Sequence, residues 1–391
     1  DAEVVLEELI QPTPDLPVTI GLIGGDVDRE IGGRHVAQRI ARKLFALPQV
    51  EVATHTYSHP YAWRFFETYS RTEEEAAIER FQAPTLPWRE RATNALLRLV
   101  GLTPQTTTFD KYVAGTDDLP RTFLRKPFDL DREIGGALAL AESYAPTGKK
   151  ARVYLWSGDT TPFEAAIRAT RKAGARNLNG GDSRLDHEYP SVSYVPPISR
   201  IEGRERQIYA ANSNENTYTN DWTGPYYGFM LLEETLRNTE SPRRLKPFNL
   251  YYHMYSGEKP ASLAAVKHFH ALARRSEVTP IEASRYAAMA DDFFGVQIAQ
   301  TDVATWHLSN LGAVETVRFE AAEGIDVDYA ASRGVIGSNR HAGALYVALD
   351  SAQVSAIVAL KPEVNAAADR EAGRPLASLV SGRWRLKERR E

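Results

Sequence analysis

Short apolar runs alternate with helical patterns along the first 280 or so residues, and this alternation constrains the fold more than any other feature of the chain. Val18–Ile23 ends at two glycines and predicts a buried strand, and the apolar spacing over 34–47 predicts a helix with one inward face. The order then repeats, with strands predicted at 50–54, 152–156, 191–195, 207–211 and 248–253 and helices at 60–69, 130–144, 162–173, 226–237 and 261–274. Repeated β/α alternation is typical of a parallel sheet or a barrel, so we expect an α/β fold with a (β/α) barrel-like domain.

The pattern changes near residue 296, after which short β-type runs dominate. These runs lie at 296–299, 314–319, 344–349, 354–360 and 383–386. A chain of 391 residues also exceeds the roughly 250 to 300 that one core usually holds. We therefore predict a lead-in over 1–17, a first domain over 18–278 with an insertion at about 71–129, and a connecting helix with a C-terminal all-β domain over 279–391.

Composition excludes several functional classes. Lys and Arg number 47 against 51 Asp and Glu, so no overall positive field attracts nucleic acid. No apolar run approaches the ~20 residues of a membrane span, so we expect no transmembrane segment. There are no cysteines, and a metal would have to rest on His, Asp or Glu. The chain begins at Asp1 rather than Met, and we expect either a removed signal or a piece of a longer protein.

Acidic and imidazole side chains follow the first two predicted strands. Asp26 and Asp28 come after the glycine pair, and His55 and His59 follow the second strand. The carboxyl ends of parallel strands meet at one edge, where two histidines and one aspartate make a three-ligand catalytic metal site with an open position for water. A second carboxylate then takes the proton of that water. The alternative is that the acids cap a loop and the histidines are ordinary polar residues.

These motifs resemble polysaccharide deacetylases, the family-four carbohydrate esterases. The resemblance rests on GGDVD at 24–28 and THTYSHP at 54–60, and the segments at 154–167, 177–183 and 249–263 narrow it to the deacetylase region of PelA-type proteins, which modify the Pel exopolysaccharide of bacterial biofilms. It implies that Asp26 is the general base, that His253 is the general acid, and that one divalent metal ion, zinc, is bound by the side chains of Asp28, His55 and His59. The family usually has adjacent aspartates, whereas Val27 separates them here.

His253 is a candidate site residue even without the family resemblance, because it ends a predicted strand just before a glycine-containing turn. The alternative is a core histidine that donates to a carbonyl. We predict four substrate-binding residues, each with a structural alternative in a core, a turn or a helix start: Trp156, Asp159, Asp182 and Tyr255.

The function expected from this resemblance is metal-dependent N-deacetylation of an N-acetylated amino-sugar exopolysaccharide, Pel-like and containing N-acetylgalactosamine, with release of acetate for biofilm matrix production. The resemblance also implies a periplasmic location and partnership with exopolysaccharide export or modification proteins. Two alternatives stay open. One is a glycoside hydrolase in which Asp26 and another acid act as a carboxylate pair, and the other is a non-catalytic polysaccharide-binding module.

Overall fold

The computed structural model describes residues 1–81, 92, 93, 95, 96, 117–240 and 244–362. It is a mixed α/β structure, as the sequence predicts, and it divides into two compact units, Asp1–Ala287 and Ala288–Glu391. The predicted strand at 383–386 and most of the predicted insertion lie outside the described residues. None of the helices in the described ranges combines the length and the apolar character that a membrane crossing requires.

A parallel sheet organises the first unit. Its strands are β1 Val18–Leu22, β2 Val50–Thr54, β3 Val153–Leu155 and β4 Arg176–Leu178, and they lie in the order β1-β2-β3-β4. All five residues of β2 are buried, which is typical of an interior parallel strand covered on both faces. The register pairs Leu22 with Thr54 and Leu155 with Leu178. The carboxyl ends therefore reach the same edge of the sheet.

The segment after β4, the last strand of this sheet, makes two backbone hydrogen bonds with residues at the end of a separate hairpin. A hairpin of β5 Ser199–Glu202 and β6 Glu205–Ile208 follows β4. At its end, the Asn179 N–H donates to Ile208 O at 3.1 Å and the Ala210 N–H donates to Gly180 O at 3.0 Å. Both bonds advance in the same direction along the two segments, so residues 208–210 run parallel to the segment after β4.

Helices cover the sheet and connect its strands. Among the described residues, the α-helices of the first unit include Ala2–Val5, Gly24–Val27, His35–Phe45, Arg71–Arg80, Ala137–Ser143, Glu164–Lys172, Glu215–Thr219, Leu232–Asn238 and Pro260–Arg275, and Ala283–Asp292 spans the boundary between the units. Leu6–Ile10 and Arg132–Gly136 are π-helical, and Trp63–Phe66, Val192–Tyr194, Gly228–Leu231 and Met254–Gly257 are 3₁₀-helical. The core between the layers contains Trp63 and Trp156, whose rings meet edge to face at 4.8 Å.

Three predicted elements are wrong. The helix predicted at 60–69 shrinks to one 3₁₀ turn because the amide of Tyr61 donates to Pro120 O at 2.8 Å and holds the start of the segment extended. The strand at 191–195 is a 3₁₀ turn, because the hydroxyl of Ser191 accepts from the amide of Ser193. The strand at 248–253 is irregular, since side chains satisfy its backbone: Asn212 donates to the carbonyl of Asn249, and Glu215 accepts from the amide of His253.

The described part of the second unit contains two antiparallel sheets. One has the order β10-β13-β8-β7 and the other β11-β12-β9. The strands are β7 Gln297–Asp302, β8 Thr305–Ser309, β9 Thr316–Phe319, β10 Ile325–Val327, β11 Val335–His341, β12 Ala344–Leu349 and β13 Ser355–Pro362. Alternate residues of β12 and β13, including Val347 and Val358, are buried against Trp306 in a separate core. Four of the predicted β runs correspond to β7, β9, β12 and β13.

Candidate active site

The loops that follow β1 and β2 are joined by backbone hydrogen bonds. The amide of Gly24 donates to Thr56 O at 3.0 Å, and the amide of Gly25 donates to Tyr57 O at 2.7 Å. A Cβ on Gly25 would lie 2.1 Å from a ring carbon of Phe123, so only glycine allows this close approach. The two predicted motifs therefore lie side by side at the carboxyl edge of the sheet.

A buried carboxylate fixes the loop that carries the two histidines. Glu133, from the helical segment Arg132–Gly136, accepts from the amides of Tyr57 at 2.8 Å and Ser58 at 2.9 Å through Oε1. Its Oε2 accepts from the Ser58 hydroxyl at 2.7 Å. Burial raises the pKa of Glu133, and the Ser58 hydrogen bonds and the Arg121 charge oppose that rise. Glu133 thus binds three donors of one turn from inside the protein.

That turn holds its backbone in an uncommon conformation. Thr56 has a φ of 72° and His59 a φ of 56°, both in the left-handed region that non-glycine residues seldom adopt. The amide of His59 donates to the Thr56 hydroxyl at 3.0 Å, and the segment after Pro120 pairs with the same loop through Thr122 N–H and His59 O at 3.0 Å. Strained residues that the surroundings hold in place are concentrated at functional sites.

His55 and His59 are fixed in one tautomer by their hydrogen bonds. The Nδ1 of His55 lies 3.2 Å from the carbonyl oxygen of Leu155, which can only accept, so this nitrogen carries the proton. The Nδ1 of His59 lies 3.1 Å from the hydroxyl of Thr122, whose own proton goes to Tyr61 Oη. The Nε2 lone pairs of both imidazoles are therefore directed away from these bonds. The rings lie 5.2 Å apart between centroids.

The electrostatics of these rings favour the neutral form. Burial lowers the pKa of His55 well below its usual value, and the neighbouring His59 and His253 lower it further, against the Leu155 hydrogen bond. Burial, and to a smaller extent the charge of His253, lower the pKa of His59 to about 4. Neutral imidazole is the form that binds a metal ion. The same shifts show that three imidazoles, His253 included, are electrostatic neighbours.

The two aspartates lie on the adjoining loop in different environments. Asp26 is exposed at the surface. The protein around its carboxyl group still removes part of its hydration and thereby raises its pKa, and the charge of Arg34 partly opposes this rise. Asp28 is half-buried, and its Oδ2 accepts from Tyr57 Oη at 2.6 Å while its Oδ1 accepts from the amide of Glu30 at 2.9 Å. Neither carboxylate contributes to the pKa shifts of the two histidines.

His253 is held by a second buried carboxylate, which the sequence did not indicate. Glu215 is 0% exposed and begins the helix Glu215–Thr219. Its Oε1 accepts from the backbone amide of His253 at 2.7 Å and from its Nδ1 at 3.0 Å. The imidazole also stacks on Tyr255, with centroids 4.9 Å apart and planes at 7°. This carboxylate–histidine pair fixes the orientation of the imidazole ring.

The other predicted substrate-binding residues differ in accessibility. Trp156 is 0% exposed and its indole N–H donates to Asn177 Oδ1 at 3.0 Å, so its ring presents no face to a sugar in the described structure. Asp159 accepts from both the amide and the hydroxyl of Thr161, at 3.0 and 2.8 Å, and so shapes its own loop. Asp182 is exposed, although nearby protein raises the pKa of its carboxyl, and Tyr255 is half-buried beside His253. Asp159, Asp182 and Tyr255 therefore have surface that a ligand could reach, whereas Trp156 has none.

The donor set fits a metal ion in part. His55 and His59 present two neutral nitrogen donors, and the hydrogen bonds to their Nδ1 atoms are of the kind that orient metal ligands. Within the described ranges, however, no group of three or more His, Asp or Glu side chains is placed to hold one ion. Asp28 would have to move to complete a three-ligand site with the two histidines. Its hydrogen bonds to Tyr57 and Glu30 leave other lone pairs of the carboxylate for an ion.

Comparison of the chain with models of known families, with curated proteins and with solved structures found no match. The site is therefore interpreted from its own geometry. Sequence reasoning missed both carboxylates, because Glu133 is one acidic residue within the predicted helix at 130–144 and Glu215 lies between the predicted strand at 207–211 and the predicted helix at 226–237. The one local signal is Asn214, which precedes Glu215 and caps its helix through the amide of Asn216.

Proposed function

We propose that this protein is a metal-dependent hydrolase that removes acetyl groups from an N-acetylated amino-sugar polymer and releases acetate. The observation that carries the proposal is the trio of imidazoles. Two of them, His55 and His59, present unprotonated Nε2 atoms, and the third, His253, is paired with a buried carboxylate. A pair of nitrogen ligands next to a proton donor suits hydrolysis of an amide.

In this proposal, His55, His59 and Asp28 hold one divalent metal ion, with zinc as the expected ion for a donor set of nitrogen and carboxylate. When bound, such an ion lowers the pKa of water and polarises an acyl oxygen. The loop held by Glu133 would keep the two imidazoles in place, and Tyr57 would orient Asp28 from behind through its phenol.

The chain's own acids and bases complete the reaction. Asp26 takes a proton from the attacking water, whose oxygen bonds to the acetamide carbon, and its raised pKa makes it a better proton acceptor. The C–N bond then breaks, and protonated His253 gives its proton to the departing amine. Glu215 holds the imidazole in the orientation for that transfer. Water and amide are thereby converted to acetate and a free amino sugar.

The proposal also covers the substrate, the cellular location and the architecture of the catalytic domain. The motifs that resemble PelA-type deacetylases support a Pel-like polymer that contains N-acetylgalactosamine, a periplasmic location, and work alongside export or modification proteins. A barrel-like catalytic domain is also part of the proposal. Its support is that four parallel strands follow one another in chain order, as strands do around a (β/α) barrel, and that residues 208–210 run parallel to the segment after β4.

The test measures bound metal and acetate release on the same preparations. Zinc is added and free metal removed, the metal content is determined by mass spectrometry, and acetate is assayed with N-acetylgalactosamine and N-acetylglucosamine oligomers. The variants are His55→Ala, His59→Ala and His253→Ala, with His187→Ala as the matched surface control, since His187 is exposed. We expect one metal ion per chain in the wild type and the control, and none in the first two variants.

The His253→Ala variant separates metal binding from proton donation. It should keep its metal and lose acetate release by at least a hundredfold, about what one general acid contributes. A wild type that binds no metal, or a His55→Ala variant with normal acetate release, contradicts the proposal. New reducing ends that persist after chelation would instead favour a glycoside hydrolase, and polymer binding without any acetate would favour a binding module.

A further inference from the structure

One edge strand of the second unit is exposed along its whole length. β7 Gln297–Asp302 is the outermost strand of the sheet β10-β13-β8-β7, and all six of its residues are exposed. It pairs with β8 in a register that places Ile298 opposite Leu308. No strand among the described residues pairs with its other side. An edge strand of this kind presents a row of N–H and C=O groups to which another strand can bond.

The other edge strands in the described part of this unit differ from β7. β10 has only three residues, β9 includes Arg318 and β11 includes Arg340. Short edge strands and charged side chains protect a sheet against pairing with another chain. β7 has six residues and one charge, on Asp302 at its end, and its register with β8 is regular as far as Gln300. β7 is therefore the edge best suited to accept a further strand.

Apolar side chains are exposed on β7 and just outside its two ends. Phe293 is 57% exposed, Ile298 43% and Val303 52%. Ile298 lies directly opposite Leu308, which is buried in the core of this unit, so the core leaves this apolar edge of the sheet uncovered. Exposed apolar side chains that are grouped in this way mark interaction surfaces. A partner must supply a β-strand and needs little charge.

We propose that β7 pairs with β7 of a second copy of this chain, antiparallel and about a two-fold axis. Hydrogen-bonded and non-hydrogen-bonded positions alternate along an antiparallel pair, so the axis must pass between two copies of the same residue. An axis at Ala299 uses the regular part of the strand and places Ile298 opposite Gln300 of the other copy. Asp302 then lies opposite Val296 and not opposite its own copy, so no like charges face each other. The chemistry at the histidines plays no part in this inference.

A single cysteine tests both the partner and the register. The chain has no cysteine, and Ala299→Cys would face its own copy across the axis. Opposite Cβ atoms lie about 4.5–5.5 Å apart, which a small shift brings within the span of a disulfide. Diamide oxidation of the full-length protein should therefore link most of Ala299→Cys into dimers on a non-reducing gel. Ile336→Cys is the matched control, because Ile336 is 70% exposed on the edge strand β11, and it should stay unlinked.

Sedimentation equilibrium measures the association without a crosslink, from about 1 to 100 µM, a range around a micromolar dissociation constant. The wild type and Ile336→Lys should reach the mass of a dimer. Ile298→Lys should raise the dissociation constant about tenfold or more, because it places like charges diagonally across the pair. Thermal melting checks that both lysine variants remain folded.

Two results overturn the inference. One is a wild type that stays monomeric over the whole range, and protected β7 amides in such a monomer would assign the strand to another segment of the same chain. The other is an Ala299→Cys variant that crosslinks no more than Ile336→Cys. Neither result bears on the proposed function, since acetate release is assayed separately.

Discussion

Removal of Glu133 tests whether a buried carboxylate holds the histidine loop in its strained form. Glu133→Ala deletes the acceptor of three hydrogen bonds, two from the amides of Tyr57 and Ser58 and one from the Ser58 hydroxyl. Glu133 is 1% exposed, so solvent cannot readily replace it. The same three bonds help to hold Thr56 and His59 in their left-handed conformations, each of which costs of order 1–3 kcal/mol.

The magnitude follows from the number of donors left without a partner. Each buried unsatisfied donor costs about 1–3 kcal/mol, and partial relaxation of the loop recovers some of this. We expect local opening to become easier by about 3–5 kcal/mol, the sum over these three neutral donors less what relaxation recovers. Amide hydrogen exchange at Tyr57 and Ser58 measures this directly. Their exchange should accelerate by roughly two to three and a half orders of magnitude.

Glu133→Gln is the matched control. Its amide oxygen still accepts from both backbone amides, and its NH₂ group can donate to the Ser58 oxygen after the hydroxyl rotates. Exchange in Glu133→Gln should therefore remain within about tenfold of the wild type. The reasoning fails if Glu133→Ala exchanges no faster than Glu133→Gln, or if its effect spreads evenly over the first unit and does not centre on this loop.

Three further predictions address other parts of the structure. Burial lowers the pKa of Lys246 from 10.5 to about 8. Between these two pH values the lysine is protonated in the unfolded chain and neutral in the folded one. The free energy of unfolding should therefore rise with pH across this window, by up to about 3 kcal/mol. Denaturation of Lys246→Met, measured from pH 7.5 to 10.5, should lack that rise, and an unchanged slope would contradict the burial argument. Gly25→Ala should destabilise the first unit by about 1–3 kcal/mol, because its new methyl group overlaps Phe123. Adding Phe123→Leu should restore part of the lost melting temperature. A melting temperature that stays low would locate the strain elsewhere. Glu215→Gln should keep KM and reduce kcat by a hundredfold or more, and steady-state assays that show full activity would remove Glu215 from the positioning of His253.

The sequence predicted the α/β class and the first strands well, because their signals are local. Val18–Leu22 and Val50–Thr54 are short apolar runs, and the glycines and polar residues that end them are visible without a structure. Since parallel strands share a carboxyl edge, the adjacency of the two motifs could also be predicted. Closure of a sheet into a barrel leaves no such local signal, because closure depends on pairing between segments distant in sequence.

The segment at 248–253 shows where local pattern fails. Its aromatic and apolar residues read as a strand, but its backbone groups are satisfied by side chains of Asn212 and Glu215 from another part of the chain. Trp156 illustrates the same limit, since an aromatic residue after a strand can face a ligand or the core. Here the indole packs against Trp63 and is fully buried.

The sequence by itself determined which chemical groups are present and roughly where the strands end: no thiols, two aspartates after one strand and two histidines after the next. Only the tertiary structure decided their chemical state. The tautomers of His55 and His59 depend on acceptors 100 and 63 residues away, respectively, and the orientation of His253 depends on Glu215, 38 residues earlier. Hydrogen bonding and burial act over a few ångströms in space, and a linear pattern does not record which distant residues the fold brings within that distance.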